Sequence, residues 1–593
     1  MNKVVLGGGI SGLSAAYYLR KKFPFQKITL LEATNRIGGW IKSTSHEGYI
    51  FEQGPRTIRP QGPKAVNTLQ LIQDIGLTDD VRYLPKTHPT ALNRMIYANR
   101  SLHTLPSSFS SIFIKHSPFN KPLIVYLLAE FKQSPKILDD ESIYSFIQRR
   151  FGTEVADYAI SPLICGICAG DAKEVSVRFL MENLFTYEQQ YGSITKGILY
   201  NMFKAKSNYI SPNLLSERAK REKWSVYFFK DGLETLPKHL YRVNEKNNVQ
   251  IQLNTDCTGI EFGTEATLRI GDGYVKAEHV VCTLSAKKLS QLIVDHDSLK
   301  KLLDRIPVVT VCVINLHYKM EFLKNEAFGF LVPPKEKLPI LGVIFDSCCF
   351  PCNGCTNLTV MVGGHWFKEF FGTNPSKEHL LEITLTQLEN ILHIKKKPHS
   401  YEVNILKDCI PQYVVGHTKT IRDINNYIQL HKLPLSICGT SYNGIGINDA
   451  IHSVKTECLA PTKIEERSNN CKEDKLMQML SQMNSAMLNK LEKNNKKLEE
   501  SDQKFEETNK KFEETNKKLE ETMLNKLEEN NQKLEESNQK LEESNQKFEE
   551  TNKKLEETNK KLEETMLNKL EENNQKLEET NKKLEETMLN KLE

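Results

Sequence analysis

The sequence lacks any apolar run of the about 18 or more residues that a membrane-crossing helix requires. It also lacks a strong charge balance of one sign, since its net charge is +5 over 593 residues. Its Lys and Arg residues do not gather on one predicted face with aromatic residues between them. These absences exclude a helical membrane-spanning protein and give no support to nucleic-acid binding.

Regular cysteine spacing is missing as well, and no signal-peptide pattern precedes the 13 cysteines. A secreted disulfide framework shows both features, so we expect free thiols in a reducing compartment. The densest group is DSCCFPCNGC, which contains Cys348, Cys349, Cys352 and Cys355. Structural zinc sites use two cysteine or histidine pairs, and no second pair follows at that distance. We interpret the segment as a thiol-rich loop and predict no metal site.

The composition changes near Lys463. Apolar runs and turns before it are typical of a globular enzyme, whereas the rest consists almost entirely of Lys, Glu, Asn, Gln, Ser, Thr and Leu. Repeats such as KLEETNK place an apolar residue at 498, 505, 512 and 519, and then at 527, 534, 541, 548, 555 and 562. A coiled coil needs two apolar positions in each heptad, and the second of these positions is Asn, Ser or Thr in these repeats. This predicts either a long, solvated, weakly self-associating helix or a disordered tail, and no catalysis in it.

The opening segment KVVLGGGISGLSAAYYLRKKF predicts a strand, a tight turn and a helix, and QKITLLEA predicts a second strand. Gly7, Gly9 and Gly12 form a G-x-G-x-x-G pattern. In this pattern the first glycine permits the tight turn, the second lets the backbone approach a pyrophosphate, and the third allows the helix to pack on the strand. The following helix directs its free N–H groups at the phosphates. Glu32 ends the second strand and is placed to bind a ribose hydroxyl. The segment therefore predicts a site for FAD or NAD.

Two further segments favour FAD. EATNRIGGW places Arg36, Gly38 and Gly39 just beyond Glu32, and it resembles the second signature of amine oxidase-like flavoproteins. Some 400 residues later, SICGTSYNGIGINDAIHSV again predicts a strand, a Gly-rich turn and a helix. Such a turn could place a helix N-terminus beside the flavin ring. A Gly-rich surface loop is the alternative interpretation.

Helical patterns dominate residues 98 to 205, and short β-like runs dominate residues 206 to 462. The longest apolar stretch is PLIVYLLA, which is flanked by lysines and preceded by FSSIFI. That arrangement is typical of a segment that enters the headgroup region of a membrane. A buried core helix would give the same pattern, so both interpretations stay open.

Six segments in one order give a closer resemblance: FEQGPRTIRP, NRMIYANRSLHTLP, FKDGLETLP, FLVPP, LGVIFDS and GTSYNGIGINDAI. Over residues 2 to 460 the chain resembles the eukaryotic-type protoporphyrinogen oxidases, and the tail has no counterpart in them. The resemblance implies an FAD enzyme that oxidises protoporphyrinogen IX to protoporphyrin IX. Molecular oxygen would reoxidise the flavin and yield hydrogen peroxide, in the penultimate step of haem biosynthesis. No catalytic side chain is implied, since the flavin performs the chemistry.

The resemblance also implies site residues. Arg94 would bind a propionate, Leu331, Ile344 and Met361 would sandwich the tetrapyrrole, and the carbonyl of Gly166 would face the pyrrole N–H groups. Arg59, with Arg56, would order the loop near the flavin or form surface ion pairs. The implied FAD-binding residues are Gly7, Gly9, Ile10, Ser11, Gly12, Glu32, Ala33, Arg36, Gly38, Gly39, Trp40, Gly54, Pro55, Arg56, Thr57, Gly439, Thr440, Gly444, Gly446, Ile447 and Asn448.

The expected fold class is α/β, with a discontinuous Rossmann-like FAD-binding domain, a mixed α/β substrate domain and a helical membrane-docking domain. A long helix, coiled coil or disordered tail would follow. The expected boundaries are 1–85, 206–290 and 405–462 for the FAD-binding domain, 86–97 and 291–404 for the substrate domain, 98–205 for the docking domain and 463–593 for the tail.

Location and partners are implied in the same way. The family works as a homodimer bound peripherally to the mitochondrial inner membrane, without a cleaved presequence, and the flavin motif here begins at residue 3. Two other functions stay open. One is an FAD-dependent amine oxidase or polyene desaturase, and the other is a scaffold protein with a vestigial flavin fold.

Overall fold

The computed structural model describes residues 2–46, 48–108, 110–203, 214–323, 326–350, 352 and 354–459, and then 525, 529, 532, 535–536, 539–540 and 542–587. The chain divides into two compact units, Met1–Ala460 and Pro461–Glu593. In the first unit the strands are β1 (Asn2–Leu6), β2 (Lys27–Leu31), β3 (Ser43–His46), β4 (Tyr49–Glu52), β5 (Val81–Pro85), β6 (Arg94–Ala98), β7 (Ser101–Thr104), β8 (Trp224–Phe229), β9 (Gln250–Gln252), β10 (Cys257–Phe262), β11 (Ala266–Ile270), β12 (Gly273–Ala277), β13 (His279–Cys282), β14 (Val308–Tyr318), β15 (Gly329–Leu331), β16 (Ile340–Phe345), β17 (Thr356–Gly364), β18 (Ser400–Pro411) and β19 (Leu435–Ile437).

Helices connect these strands. They are α1 (Ile10–Lys22), α2 (Pro63–Asp74), α3 (Pro89–Leu92), α4 (Leu123–Glu130), α5 (Ile143–Phe151), α6 (Thr153–Val155), α7 (Ser161–Cys168), α8 (Val177–Leu180), α9 (Glu182–Tyr191), α10 (Ile194–Phe203), α11 (Leu214–Arg221), α12 (Thr235–Lys246), α13 (Ala286–Leu292), α14 (Asp297–Leu303), α15 (Asp346–Cys349), α16 (Phe367–Phe371), α17 (Lys377–Leu392), α18 (His417–Leu430), α19 (Thr440–Asn443) and α20 (Ile447–Leu459).

A five-stranded parallel sheet, with the order β19-β13-β1-β2-β9, gathers segments from the start, middle and end of the unit. Strands β1, β2 and β13 are mostly apolar because both faces of the sheet are covered there, as parallel sheets require. Helices α1, α12 and α20 pack in one core with Val5 and Leu30, while α13 and α14 pack in another with Val4 and Leu31. The predicted mixed α/β fold with a strand, glycine turn and helix at both motifs is confirmed.

A seven-stranded sheet has the order β18-β14-β17-β16-β15-β6-β7. One face carries Phe330, Val343 and Val360 and packs in a core with Leu380 and Leu388 of α17. The opposite face is approached by α7, which contacts β15 and β16. That second face is where the predicted substrate residues lie.

The predicted helical region contains α4 to α10, and a buried ion pair holds it together. Arg150 donates from Nε to the Glu130 carboxylate at 2.8 Å, and both side chains are fully buried. The same carboxylate accepts the N–H of Ile194 at 2.9 Å and the hydroxyl of Ser193 at 2.6 Å, so it also caps α10. An N-terminal carboxylate is favoured by the helix dipole.

PLIVYLLA forms most of α4, in which Leu123 and Tyr126 pack against a small core but no apolar side chain is fully buried. Val125 is 38% exposed and Leu128 is 56% exposed, while Glu130 is the buried residue of the helix. The interpretation as a buried core helix is therefore wrong. Among the described residues, no helix is both long enough and apolar enough to cross a membrane.

In the second unit, residues 542–587 form one continuous helix, which we call the tail helix. At about 1.5 Å per residue its length is about 70 Å. The repeats between 461 and 524 lie outside the described residues.

Candidate active site

The first glycine turn connects β1 to α1. Gly9 is the N-cap of α1, and no side chain caps this helix, so its first N–H groups are free for an anion. A Cβ at Gly12 would collide with the carbonyl oxygen of Gly7, which shows why the third glycine packs helix on strand. Gly9 and Gly38 form a bridge between the turn and the following loop.

Glu32 and Arg36 fix the loop beside this turn. The Glu32 carboxylate accepts the N–H of Gly8 at 2.6 Å and that of Thr34 at 2.9 Å. Arg36 donates to the carbonyls of Gly39 and Ile41, both at 2.7 Å. The carboxylate is thus held at the edge of the turn, where a ribose hydroxyl would bind.

The second glycine turn lies against the first in space. A Cβ at Gly439 would be 3.2 Å from Ser11 Oγ, at the first turn of α1. Helices α1 and α20 make extensive contact. Asn448 at the start of α20 donates to the carbonyl of Arg59 at 2.9 Å, which ties this turn to the GPRTIRP segment. Asp449 accepts the N–H of Gly446 at 3.2 Å and pairs with Lys64 at 2.7 Å.

These contacts fit a dinucleotide cofactor. The uncapped N-terminus of α1 suits a pyrophosphate. Gly9 and Gly39 approach each other closely, so no side chain lies between the backbone and a phosphate at this turn. A Cβ at Gly54 would collide with the carbonyl oxygen of Trp40, so the third predicted cofactor segment lies against the second. The structure therefore brings together the four segments that are predicted to bind FAD, around residues 7–12, 32–40, 54–57 and 439–448.

A buried polar row anchors the segment of Glu52 to Arg56 on the seven-stranded sheet. Arg56 Nη1 donates to Asp346 at 2.5 Å, and the side chains are 8% and 12% exposed. Asp346 also accepts the hydroxyl of Thr359 at 2.5 Å. Asn315 Nδ2 donates to Thr359 Oγ1 at 2.8 Å and to the Glu52 carbonyl at 3.2 Å. Of the two outcomes left open for Arg56, a surface ion pair is wrong, because the pair is internal.

The Glu52 side chain belongs to the same buried group. Its carboxylate accepts the N–H of Leu233 and the hydroxyl of Ser43, both at 2.7 Å. Burial raises the pKa of the Glu52 carboxyl to about 7, although these hydrogen bonds and the charge of Arg56 act in the opposite direction.

The predicted substrate residues share one face of this sheet. In one row across the strands, Arg94 is opposite Gly329, which is opposite Ile344. In the next row, Leu331 is opposite Gly342, which is opposite Met361. Residues that pair across strands project to the same face, and neighbouring strands are about 4.8 Å apart. The row of Arg94 and Ile344 continues to Thr359 and Asn315, and so leads to the Arg56 segment.

Gly166 of α7 closes this face from the other side. A Cβ at Gly166 would be 2.9 Å from Leu331 Cδ2, and a Cβ at Gly342 would be 3.0 Å from the same atom. Two glycines thus border the Leu331 side chain. The five predicted substrate residues therefore lie on one sheet face and on the helix that covers it.

Arg94 carries a charge that the described residues leave without an ion-pair partner, and so does Arg59. Partial burial, and then the neighbouring charge of Arg59, lower the pKa of Arg94. Two close guanidinium groups repel each other, so an incoming carboxylate relieves that repulsion.

A cavity of about 360 Å³ flanks this face. Its lining includes Tyr144, Asp157, Lys335, Leu341 and Trp366. Arg94, Leu331, Ile344 and Met361 are not part of the lining, so this cavity is distinct from the predicted slot.

Sequence reasoning missed the residues that anchor the site. Asp346, Thr359, Asn315 and Glu52 belong to segments that read as ordinary strands and their ends. The one available signal was an Asp that directly follows the apolar run in LGVIFDS.

The expectation of free thiols holds for ten described cysteines. It is wrong for Cys352 and Cys355, which are three positions apart in the loop between β16 and β17 and form a disulfide. No group of three metal-ligating side chains occurs in the described part of the chain.

Comparisons with known proteins identify the family of the chain. The family described as flavin containing amine oxidoreductase matches residues 10–459. Human protoporphyrinogen oxidase is 34% identical over 475 residues, which cover 78% of this chain and 99% of the human protein. The Schizosaccharomyces pombe protoporphyrinogen oxidase is 33% identical, with 76% and 96% covered. A solved structure from Exiguobacterium sp. 255-15 superposes with a TM-score of 0.65 at 24% identity, over 79% of this chain and 99% of that one.

Proposed function

The chain belongs to the flavin-containing amine oxidoreductases and, within them, to the protoporphyrinogen oxidases. On that premise we propose that it oxidises protoporphyrinogen IX to protoporphyrin IX, with molecular oxygen as acceptor and hydrogen peroxide as product. This is a step of haem biosynthesis. The observation that carries the proposal is the sheet face on which Arg94 and the apolar residues Leu331, Ile344 and Met361 lie in two adjacent rows.

Bound FAD would supply the two-electron oxidation chemistry, with molecular oxygen as the final acceptor. The residues that would hold it are the free N–H groups at the start of α1, the Glu32 carboxylate and the backbone around Gly39 and Gly439. Arg56 is fixed by Asp346, so the segment before it is held in one place without help from the ligand. Preorganisation of this kind reduces the ordering cost of binding.

The residues of this chain position the substrate. Leu331, Ile344 and Met361 would present an apolar surface to a flat macrocycle, and α7 packs beside this surface, where Gly166 faces Leu331. Arg94 is at the end of its row, in strand β6, where its side chain is exposed. A propionate there receives a charge-assisted hydrogen bond from the guanidinium. This orients the ring with its charged edge outward.

Arg94→Ala should weaken substrate binding by about 1.5–3 kcal/mol, the worth of a hydrogen bond to a charged group. FAD content should not change, because Arg94 is not among the residues predicted to bind FAD. The measurement is the appearance of porphyrin fluorescence under air at varied porphyrinogen concentration, with FAD quantified separately. Arg100→Ala, at the exposed turn of the same hairpin, is the matched control. An unchanged KM in Arg94→Ala would remove this residue from the site. Absence of any porphyrin from the unaltered enzyme would instead contradict the proposed reaction.

The exposed apolar side chains of the helical region support a peripheral membrane attachment. Six of them lie in or next to α4 and α10, which contact each other, and two lie in the segment between α4 and α5. The six are Phe113, Ile114, Val125, Leu128, Ile198 and Leu199, and the two are Ile137 and Leu138. Lys115, Lys121, Lys132 and Lys196 are exposed beside them. Apolar side chains with flanking lysines are typical of a surface that binds anionic lipid.

Leu128→Asp combined with Leu199→Asp should reduce vesicle binding at least about tenfold, since each burial of a leucine contributes about 1.5–3 kcal/mol. Co-sedimentation with phosphatidylcholine vesicles that contain cardiolipin measures this. Phe25→Asp combined with Leu430→Asp changes two exposed apolar residues of the first unit outside the helical region and should have no effect. Equal binding by both double variants would contradict this docking surface.

The location at the mitochondrial inner membrane is part of the same proposal, as is a homodimer of the first unit. Both rest on the family resemblance. Import of the unaltered chain into isolated mitochondria, followed by carbonate extraction and size analysis, tests them.

Deletion of residues 470–593 should leave the rate of porphyrinogen oxidation within about twofold, a change of well under 1 kcal/mol in barrier. The physical reason is that every predicted site residue lies in the first unit. The assay compares kcat of the full and shortened chains in detergent. A loss of tenfold or more would show that the tail takes part in catalysis.

A further inference from the structure

The tail helix leaves a row of apolar side chains without cover. We call this row the Leu stripe. It consists of Phe548, Leu555, Leu562, Leu570, Leu577 and Leu584. Their exposed fractions lie between 55% and 68%. Nothing else in the helix is apolar apart from Met566 and Leu567, so the stripe is one side chain wide.

The spacing of the stripe matches an undistorted helix. Its intervals are seven, seven, eight, seven and seven residues, so ten turns take 36 residues, or 3.6 per turn. Each interval of seven falls about 20° short of two turns, and the interval of eight exceeds them by about 80°. These offsets cancel between Phe548 and Leu584. The stripe therefore stays on one face of a straight helix, and a supercoil is not needed to keep it there.

The two flanks of the stripe carry opposite charges without exception. A lysine precedes every member and a glutamate follows it, at about 100° on either side. The lysines are Lys547, Lys554, Lys561, Lys569, Lys576 and Lys583. The glutamates are Glu549, Glu556, Glu563, Glu571, Glu578 and Glu585.

We propose that the Leu stripe is a self-association surface, on which a second copy of this chain packs its own tail helix in parallel and in register. In a parallel pair related by a twofold axis along the helices, the Glu flank of one copy faces the Lys flank of the other, on both sides. In an antiparallel pair, Glu would face Glu and Lys would face Lys. Charge complementarity therefore selects both the partner and its direction.

The polar residues next to the stripe are compatible with this contact. Thr551 and Thr558 each donate to the backbone carbonyl four residues earlier, at 2.7 Å, and so do Thr565, Thr580 and Thr587 at 2.6 to 2.7 Å. Their hydroxyls are thus already satisfied when the surface is covered. In register, each Asn beside the stripe meets the same Asn of the partner, as in polar layers that specify parallel pairs.

A lipid surface fits the stripe less well. A membrane-bound amphipathic helix needs a broad apolar face with an excess of cationic side chains at its edges. Here the apolar face has one residue per two turns, and each Lys is matched by a Glu.

The test uses the full chain with a donor or an acceptor fluorescent protein fused after residue 593. Mixed preparations should show energy transfer between the two C-termini, and sedimentation should show a tail-dependent dimer. Leu555→Ala, Leu562→Ala and Leu570→Ala together should raise the dissociation constant at least tenfold, while alanine keeps the helix intact. The control, Glu557→Ala, Glu564→Ala and Glu572→Ala, changes the opposite face and should behave as the unaltered chain.

Three results would overturn the proposal. One is energy transfer and a dissociation constant that are the same in the triple leucine variant as in the unaltered chain, which would assign association to the first unit alone. Another is a tail-dependent dimer whose C-termini give no transfer, which would be antiparallel. The third is a monomeric tail that binds phosphatidylcholine–cardiolipin vesicles through the same leucines. None of these readouts uses porphyrinogen, so they are independent of the proposed function.

Discussion

Gly9→Val should give a folded but colourless protein. Gly9 is the N-cap of α1, where the pyrophosphate of FAD is predicted to approach the backbone. The branched side chain would occupy that space, and we expect FAD affinity to fall at least about 100-fold, or about 2.7 kcal/mol. The measurement is the visible flavin absorption of the purified protein before and after incubation with FAD.

The structure shows why this change tests binding and not folding. A Cβ at Gly9 would be 3.8 Å from Gly39 Cα, which is an ordinary contact, so the cofactor-free chain accommodates it. A side chain at Gly12 would collide with the Gly7 carbonyl and would disturb the fold itself. Gly263→Val, on an exposed hairpin turn, serves as the control and should stay yellow. A yellow Gly9→Val protein would contradict the assignment of this turn to FAD.

Arg56→Ala should lower the free energy of unfolding by about 3–5 kcal/mol, because it leaves the carboxylate of Asp346 buried without its cation. The Arg56 and Asp346 side chains are 8% and 12% exposed. Urea unfolding of the cofactor-free protein measures this without any contribution from FAD. Thr359 still donates to Asp346, so the variant is expected to fold at low temperature.

Two comparisons sharpen that prediction. Arg59→Ala removes an exposed arginine three residues away and should change stability by no more than about 0.5 kcal/mol. Replacing both partners, with Arg56→Met and Asp346→Leu, should cost less than either single change, since no unpaired charge remains buried. Equal losses in Arg56→Ala and Arg59→Ala would show that the ion pair does not stabilise this segment.

Much of the fold was predictable because its signals are local. Strand β14 coincides with the apolar run VVTVCVINLHY, and both glycine turns lie between a strand and a helix as their patterns indicate. Glycine turns and apolar periodicity depend on backbone geometry over about 20 residues, so they can be read without knowledge of the rest.

The roles of similar residues could not be separated in this way. Arg56 and Arg59 stand in one short segment, yet the first is buried against Asp346, 290 residues away, and the second is exposed. Glu130 ends an apolar stretch and is the buried residue of its helix, because Arg150 and the start of α10 surround it. Only partners that are distant in sequence decide such cases.

By itself the sequence determined the dinucleotide turn, the strand and helix pattern of the first unit and the charge flanks of the tail. It could name Arg94, Leu331, Ile344 and Met361 only through a resemblance. The tertiary structure decided that these side chains share one sheet face beside the Arg56 segment, through the register of β6, β15, β16 and β17. The physical reason is that register is set by packing between strands from distant parts of the chain, whereas turns and helices are set by their own residues.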